Sequence, residues 1–351
     1  MRSRLLLIIG AVVGLAGASL IAFSGQAKAA EGEFYLQVSP SPLVITAKPG
    51  QTNTYDLKIR NAGTQTEKLT IAPRSFTVKN ESGEVAFDDT KKPAEIGDWI
   101  RFAQTNFIVQ PGEWFTQKIT IAVPESAGFS YSFALAITRQ DTPKSQDAGR
   151  ALKGSVAIFT LVNIDKPGAT RKLELDSLST NSGIYEYLPA KFDVKLKNTG
   201  NSIVRPEGNL FIQRSTDDTQ PISVLPVNKS EGYILPGSVR TLSINWTDGY
   251  PDIRQSTDSS GQVKNESDWN FANLSKLRIG YYTAKLVAVY NDGQRDIPVT
   301  GEIGFWVIPW KILLGVLLII LLIGAGVWSI ASKVFKRSRG PKRIKPVTFR
   351  K

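Results

Sequence analysis

Apolar and polar side chains alternate with a period of two residues along much of the chain. The clearest runs are TYDLKIR at residues 54–60 and QKITIAV at residues 117–123. This alternation predicts strands that have one face in a core and the other in water. Turn residues separate such runs every eight to twelve positions, and no long helical period lies between them. The pattern therefore predicts an all-β fold built of antiparallel sandwiches.

One part of this pattern occurs twice. The segment DLKIRNAG at residues 56–63 recurs as DVKLKNTG at residues 193–200, 137 positions further on. A Pro-Gly turn before a strand follows each copy, at residues 110–112 and 235–237. The repeat predicts two copies of one Ig-like sandwich in tandem.

The copies are expected at residues 30–165 and 170–308, divided near Pro167-Gly168. Glycine at a turn permits the positive φ that other residues avoid. This predicts hairpin turns at Gly83 and Gly293. It also predicts matched turns with positive φ at the glycine of each copy, at Asn61, Gly63, Asn198 and Gly200.

The second copy contains an insertion at residues 247–270 that is rich in Asp, Ser, Gln and Asn. This composition predicts an exposed loop. A calcium site is the alternative, although the acidic positions do not match the spacing of an EF-hand. No metal site is expected here or elsewhere.

Residues 312–331 form an uncharged, proline-free run of twenty residues, long enough to cross a bilayer as a helix. Residues 332–351 carry nine Lys or Arg and no acidic residue. Positive charge next to a span favours the cytoplasmic side, so the sandwiches are expected outside the cell membrane in a single-pass type I protein. Four aromatic residues are expected to form interfacial belts: Phe305, Trp306, Trp310 and Trp328.

Residues 1–29 combine a basic start, an apolar stretch and Ala27-Lys28-Ala29, the features of a secretory signal peptide. The apolar stretch at residues 5–23 is long for a signal peptide, so an uncleaved anchor is the alternative.

The formal net charge of +12 would ordinarily favour a nucleic-acid partner. Thirteen of the 43 basic residues, however, lie near the two ends of the chain, at positions 2, 4, 28, 311 and from 333 on, whereas all 31 acidic residues lie between positions 31 and 302. The extracytoplasmic part is therefore nearly neutral, and nucleic-acid binding loses its support. The basic tail is interpreted as a topology signal, with docking to anionic lipid as the alternative.

The sequence contains no Cys and no His. This excludes disulfides, Cys or His nucleophiles and bases, and metal sites built from nitrogen or sulfur ligands. The adjacent acids at residues 88–89 and 217–218 lie in turn-like segments, where a catalytic carboxylate pair is not expected. The interpretation is a non-enzymatic protein without catalytic residues or cofactors, and a wall hydrolase is the least favoured alternative.

Aromatic residues of the first copy are the best candidates for binding, because such rings supply a large contact area at low entropic cost. Core packing is the alternative for each, and adjacent aromatic residues on a strand point to opposite faces. The candidates are Trp99, Phe102, Trp114 and Phe115.

The chain as a whole resembles the WxL-interacting proteins of Gram-positive bacterial surfaces. The resemblance rests on the order of signal peptide, two sandwiches, membrane span and basic tail, on PGQTNTYDLKIRNAGTQTEKLTI at residues 49–71, and on the hairpin FTVKNESGEVAF at residues 76–87. It implies a scaffold or adhesion protein whose first domain binds peptidoglycan and whose second binds a protein, with a WxL surface protein as partner. The chain departs from the pattern at residues 197–211 and 247–270.

A second class of function is a pilus-chaperone-like protein that donates or accepts an edge strand. Residues 155–162 are predicted to form the last strand of the first sandwich, and residues 156–162 of that strand are the expected donor.

Overall fold

The computed structural model describes residues 34–88, 93, 96–140, 154–214, 220–257 and 263–338. Strands account for 53% of the described residues and helices for 11%, which confirms the all-β class. The described residues divide into two compact units. The first ends at Thr170 and also includes Asn201–Ile203, and the second comprises Arg171–Gly200 and the residues from Val204 on. The predicted signal peptide lies outside the described residues.

The first unit is a sandwich of two sheets. One sheet has the strand order β1-β3-β8-β6, comprising β1 (Leu36–Ser39), β3 (Thr52–Asn61), β8 (Trp114–Ala122) and β6 (Ile100–Phe102). The other has the order β2-β10-β9-β4-β5, with β7 also paired to β4, comprising β2 (Leu43–Ala47), β10 (Ser155–Ile164), β9 (Ser130–Arg139), β4 (Glu67–Val78), β5 (Val85–Asp88) and β7 (Asn106–Val109).

The alternating sequence pattern places the core between these sheets. Leu57 and Ile59 of β3 and Ile119 of β8 are fully buried, whereas their neighbours along each strand face outward. Each fully buried aliphatic side chain stabilises the fold by about 1.5–3 kcal/mol relative to exposure. The alternation predicted at residues 54–60 and 117–123 is confirmed.

The second unit repeats this architecture. One sheet has the order β11-β13-β16, comprising β11 (Leu173–Thr180), β13 (Ala190–Asn198) and β16 (Val239–Trp246). The other has the order β12-β20-β19-β14-β15, comprising β12 (Ile184–Tyr185), β20 (Asp296–Val307), β19 (Gly280–Asn291), β14 (Glu207–Gln213) and β15 (Ser223–Pro226). Its core centres on four buried aromatic residues that contact one another: Phe192, Trp246, Tyr282 and Phe305.

Strand pairing supports the predicted repeat. The neighbours β2-β10-β9-β4 in the first unit correspond to β12-β20-β19-β14 in the second, and β1-β3-β8 corresponds to β11-β13-β16. Both units are Ig-like sandwiches, as predicted. The pairing is not purely antiparallel, however, because β2 runs parallel to β10 and β12 runs parallel to β20.

The matched Asn and Gly positions form the same turn in both units, but not by the expected means. Neither Gly63 nor Gly200 has a positive φ. Instead the fully buried side chain of Asn61 accepts a hydrogen bond from Gly63 N, and that of Asn198 accepts one from Gly200 N, each at 2.9 Å. An Asn side chain that binds the backbone two residues on forms an Asx turn without requiring left-handed glycine.

Positive φ occurs in the Pro-Gly turns. Gly112 has φ +78° and Gly237 has φ +71°, and their N–H groups donate to the backbone carbonyls of Asn61 and Asn198 at 2.8 and 3.0 Å. The hairpin glycines Gly83 and Gly293 also have positive φ, at +86° and +108°, as predicted.

The insertion is not an exposed loop throughout. It contains an antiparallel hairpin of β17 (Asp252–Thr257) and β18 (Val263–Asp268), and a 3-10 helix follows at Phe271–Lys276. The strands were missed because they carry one aliphatic residue each and show no alternation. In the described residues no group of three or more acidic side chains could hold a metal ion.

The last element of the described residues is a 29-residue helix, α1 (Trp310–Ser338). Two residues separate it from the end of β20. Residues 310–333 of this helix are long and apolar enough to cross a membrane. Of the predicted belt residues, Trp306, Trp310 and Trp328 are exposed, but Phe305 is buried in the second core. Phe305 was wrongly assigned because neighbours on a strand face opposite sides. The tail beyond residue 338 lies outside the described residues.

Candidate binding surface on the first sandwich

The four candidate aromatic residues do not share one surface. Phe115 stacks on Phe107 with ring centroids 4.5 Å apart, and Trp99 meets Tyr131 edge to face at 4.6 Å. Phe102 likewise packs against the first core. For these three residues the contacts are those of core packing, the alternative that the sequence left open.

Trp114 differs from the other three because 55% of its surface is exposed. It begins β8, where the alternation turns Phe115 inward and therefore Trp114 outward. The structure separates it from Trp99, which lies beside the opposite end of β8, near Ala122. At about 3.3 Å per residue the eight residues between these levels span about 26 Å. One compact ligand therefore cannot contact both tryptophans.

Trp114 lies in a row with two polar side chains on the outer face of the sheet. The strand register pairs Trp114 with Arg60 of β3, and Arg60 with Gln37 of β1. The Arg60 guanidinium lies 6.0 Å from the centroid of the Trp114 ring, within the range of a cation–π interaction. We refer to Gln37, Arg60 and Trp114 as the Trp114 platform.

Hydrogen bonds hold the arginine in place. Arg60 Nε donates to the carbonyl of Gly112 at 3.3 Å, and its Nη1 donates to Gln37 Oε1 at 3.5 Å. Gly112 is the positive-φ residue of the Pro-Gly turn that leads into β8. The turn, the arginine and the tryptophan are thus joined, and more than half of the surface of Trp114 stays exposed.

The rest of this outer face is polar. Lys118 pairs with Asp56 at 3.1 Å, and Thr54 and Thr120 share a hydrogen bond at 3.0 Å. Both pairs are exposed, so they contribute little to stability. An aromatic ring beside hydrogen-bonding groups suits a ligand with one apolar and one polar aspect, such as a sugar ring or an extended peptide.

The sequence indicated Trp114 as a candidate but did not indicate Arg60 or Gln37. The sequence did contain a sign of Arg60: it is the last residue of the alternating run at residues 54–60 and lies on the polar, outward side of that strand. Its pairing with Trp114 could not be predicted, because cross-strand register depends on pairing between residues 54 positions apart.

The predicted donor strand also needs correction. Residues 160–164 of β10 pair with β2, and residues 155–163 pair with β9, so the last three residues of the expected donor at residues 156–162 already have two neighbours. In the part of the chain that the structure describes, only Ser155–Phe159 lacks a strand partner on the β2 side. An open strand edge of this kind can accept a further strand.

No family model matches the sequence, and no curated protein matches it. Several solved structures are similar in fold. They include the class 5 fimbriae chaperone CfaA, with 10% identity over 78% of this chain and 100% of that one and a TM-score of 0.36, and the E. coli chaperone DraB, with 12% identity over 76% and 98% and a TM-score of 0.33. A PapD-like domain of human CEP192 has 16% identity over 37% and 85%, with a TM-score of 0.24.

Proposed function

We propose that this protein is a non-enzymatic scaffold or adhesion protein, anchored in the cell membrane by α1, that binds cell-wall peptidoglycan or a WxL-type surface protein through its Ig-like domains. The observation that carries the proposal is the continuity of β20 with an apolar helix only two residues further on. A sandwich joined so directly to a span would work close to the bilayer.

The chemistry of the chain supports a binding role. It has no Cys or His, and the described residues contain no cluster suited to a metal. The Trp114 platform offers an exposed ring beside a fixed guanidinium, which suits stacking on a sugar while the arginine binds hydroxyl or carboxylate oxygens. Peptidoglycan, with sugars and peptide carboxylates, has both features.

The binding proposal is tested by sedimenting the full-length protein in detergent with purified peptidoglycan. Trp114→Ala should weaken binding by up to about 2 kcal/mol, roughly 30-fold, because truncating an aromatic anchor costs that much at a central contact. Trp306→Ala, which removes another exposed tryptophan, from the second sandwich, is the control and should bind like the wild type. Equal binding by both variants would remove the Trp114 platform from the proposal.

A second candidate function is strand addition, supported by the open edge at Ser155–Phe159. An extended peptide from a partner would bind there by main-chain hydrogen bonds. Binding of a surface-protein peptide should then slow amide hydrogen exchange within residues 155–159 and leave β3 unchanged. Unchanged exchange at residues 155–159 in the presence of bound partner would exclude this mode.

A further inference from the structure

Large apolar side chains that the second sandwich leaves exposed gather at one end. Apart from Val224 on β15, every such side chain in the described part of this sandwich lies at the end where α1 begins. We call six of these residues the collar: Ile184, Trp269, Phe271, Leu274, Tyr281 and Trp306.

Three collar residues form a row across the outer face of one sheet. The register pairs Ile184 of β12 with Trp306 of β20, and Trp306 with Tyr281 of β19, one residue before β20 ends. The rings of Tyr281 and Trp306 meet at 5.3 Å. On the same face, further from the helix, the strand register places the exposed residues Lys285 and Glu302 opposite each other. The surface therefore changes from charged to apolar toward α1.

The other three collar residues, Trp269, Phe271 and Leu274, lie just before or within the 3-10 helix. Trp269 packs edge to face against Tyr187 and Tyr250, at 5.8 and 5.7 Å. The helix is tied to the start of β17 by a hydrogen bond from Asn273 to Asp252 at 3.1 Å. Phe271 is nevertheless 77% exposed.

A glycine indicates that the collar is a built feature. A Cβ at Gly304 would lie 1.8 Å from the Tyr281 hydroxyl oxygen, so the tyrosine ring lies over this position only because it is glycine. The exposed Tyr281 is thus held by its own sheet, and its orientation does not depend on a loop.

Two contacts fix the start of α1 to this end of the sandwich. Lys311 forms an ion pair with Glu186 at 3.0 Å, and Ile308 N donates to the carbonyl of Tyr185 at 2.7 Å. Because only Ile308 and Pro309 separate β20 from α1, the collar lies beside the point where the helix would enter the bilayer.

We propose that the collar inserts into the interfacial layer of the bilayer and seats the second sandwich on the lipid surface. This inference rests on the proposed membrane anchor. Tyr and Trp favour the headgroup level, where one part of the ring is apolar and the other wet, and apolar residues such as Phe and Leu insert to the acyl boundary. Nearby charges are paired, as Arg278 and Lys276 both contact Asp248, at 2.5 and 3.6 Å. Insertion is therefore apolar in origin and does not require anionic lipid.

The absence of Cys makes a depth measurement direct. Single variants Leu274→Cys, Val224→Cys and Ile320→Cys of the full-length chain carry an environment-sensitive fluorophore and are reconstituted in phosphatidylcholine vesicles with nitroxide near the carbonyl end of the acyl chains. The label at 274 should lose most of its intensity, whereas the label at 224 should keep it. Adding phosphatidylglycerol should change neither result.

The controls separate the two proposals. If the label at 320 is shielded from aqueous quencher while those at 274 and 224 respond alike to lipid nitroxide, the anchor stands and the collar proposal is wrong. If the label at 320 is open to aqueous quencher, the anchor itself is wrong. Adding Trp306→Glu and Phe271→Glu to Leu274→Cys should restore fluorescence at 274, and retained quenching in that variant would also contradict the collar.

Discussion

One buried asparagine in each sandwich, Asn61 or Asn198, makes the same kind of hydrogen bonds at the end of a strand. The Asn61 amide donates to the carbonyls of Gln65 and Val109 at 2.6 and 3.0 Å, and its oxygen accepts from Gly63. Asn198 makes the corresponding bonds with Ile234 and Gly200. Each asparagine thus links the end of one strand to the segment before the Pro-Gly turn, and its removal leaves buried backbone groups without partners.

The first prediction follows from this arrangement. Asn61→Ala or Asn198→Ala should lower the free energy of unfolding of its own sandwich by about 2–4 kcal/mol, because several buried groups lose their partners. Denaturant unfolding of the full-length chain measures it. Asn291→Ala removes the same Asn-to-Gly bond at 2.9 Å in an exposed hairpin and should cost no more than about 1 kcal/mol. Equal losses at the three positions would contradict the argument.

The second prediction separates the two tryptophans. Trp99→Ala should destabilise the first sandwich by about 2–4 kcal/mol, because it removes the ring that packs on Tyr131. Trp114→Ala should change stability by less than about 1 kcal/mol. Thermal unfolding of both variants checks the difference, and a large loss from Trp114→Ala would mean that the platform is structural.

These residues show what sequence can predict at this scale. The spacing of Asn and Gly located both turns correctly, because local backbone chemistry depends on nearby residues. It gave the wrong cause, since the turns have hydrogen bonds to the side chains of Asn61 and Asn198 and no positive φ at Gly63 or Gly200. The alternation similarly placed one ring of Trp114 and Phe115 outside, but it could not show that Trp99 packs on a ring from another strand.

At the scale of elements, strands of the first sandwich are joined by a buried ion pair. Glu67 of β4 and Arg139 of β9 are almost fully buried and form two hydrogen bonds, one of them Nε to Oε2 at 2.6 Å. The Arg139 guanidinium also lies 5.0 Å from the centroid of Phe34. The hydrogen bonding of the guanidinium to Glu67 raises the pKa of Arg139, which keeps the arginine charged.

The third prediction is a double-mutant cycle. Glu67→Leu or Arg139→Leu alone should lower the free energy of unfolding of the first sandwich by about 3–5 kcal/mol. Each substitution leaves the charge of the other residue buried without its partner. The double variant should lose less than the sum of the two, by at least about 1 kcal/mol. Additive losses in urea unfolding would show that the pair is not coupled.

The elements themselves were predictable to different degrees. Strands that bury one face, such as β3 and β8, follow from alternation because the core selects alternate residues. The strands β17 and β18 carry one aliphatic residue each, so their sequence shows no such period. The parallel pairing of β2 with β10 was also beyond prediction, since it joins segments more than one hundred residues apart.

At the scale of the whole molecule, the charge separates by location. The part between the ends is nearly neutral, whereas the described part of the chain after residue 332 and the sequence beyond it are basic. Positive charge next to a span retains that end in the cytoplasm. The proposed orientation therefore places both sandwiches outside and the last residues inside.

The fourth prediction tests this orientation. Protease added to cells stripped of their wall should digest the sandwiches and leave an epitope at Lys351 intact, because the bilayer shields the tail. Detergent should expose the epitope and serves as the control. Loss of the epitope in intact stripped cells would reverse the assignment.

The strand that leads into α1 would also determine how the second sandwich responds to a pull on the proposed anchor. Leu173 opens the second sandwich beside Asn198, and Val307 closes it at the opposite end of the strands, so a pull between them runs along the strand axis. The twelve residue pairs that join β19 to β20 are then loaded together in shear, so their hydrogen bonds do not break one after another from one end. An anchor that leaves from the end of this long strand would let the sandwich hold its partner under tension without unravelling from its tether.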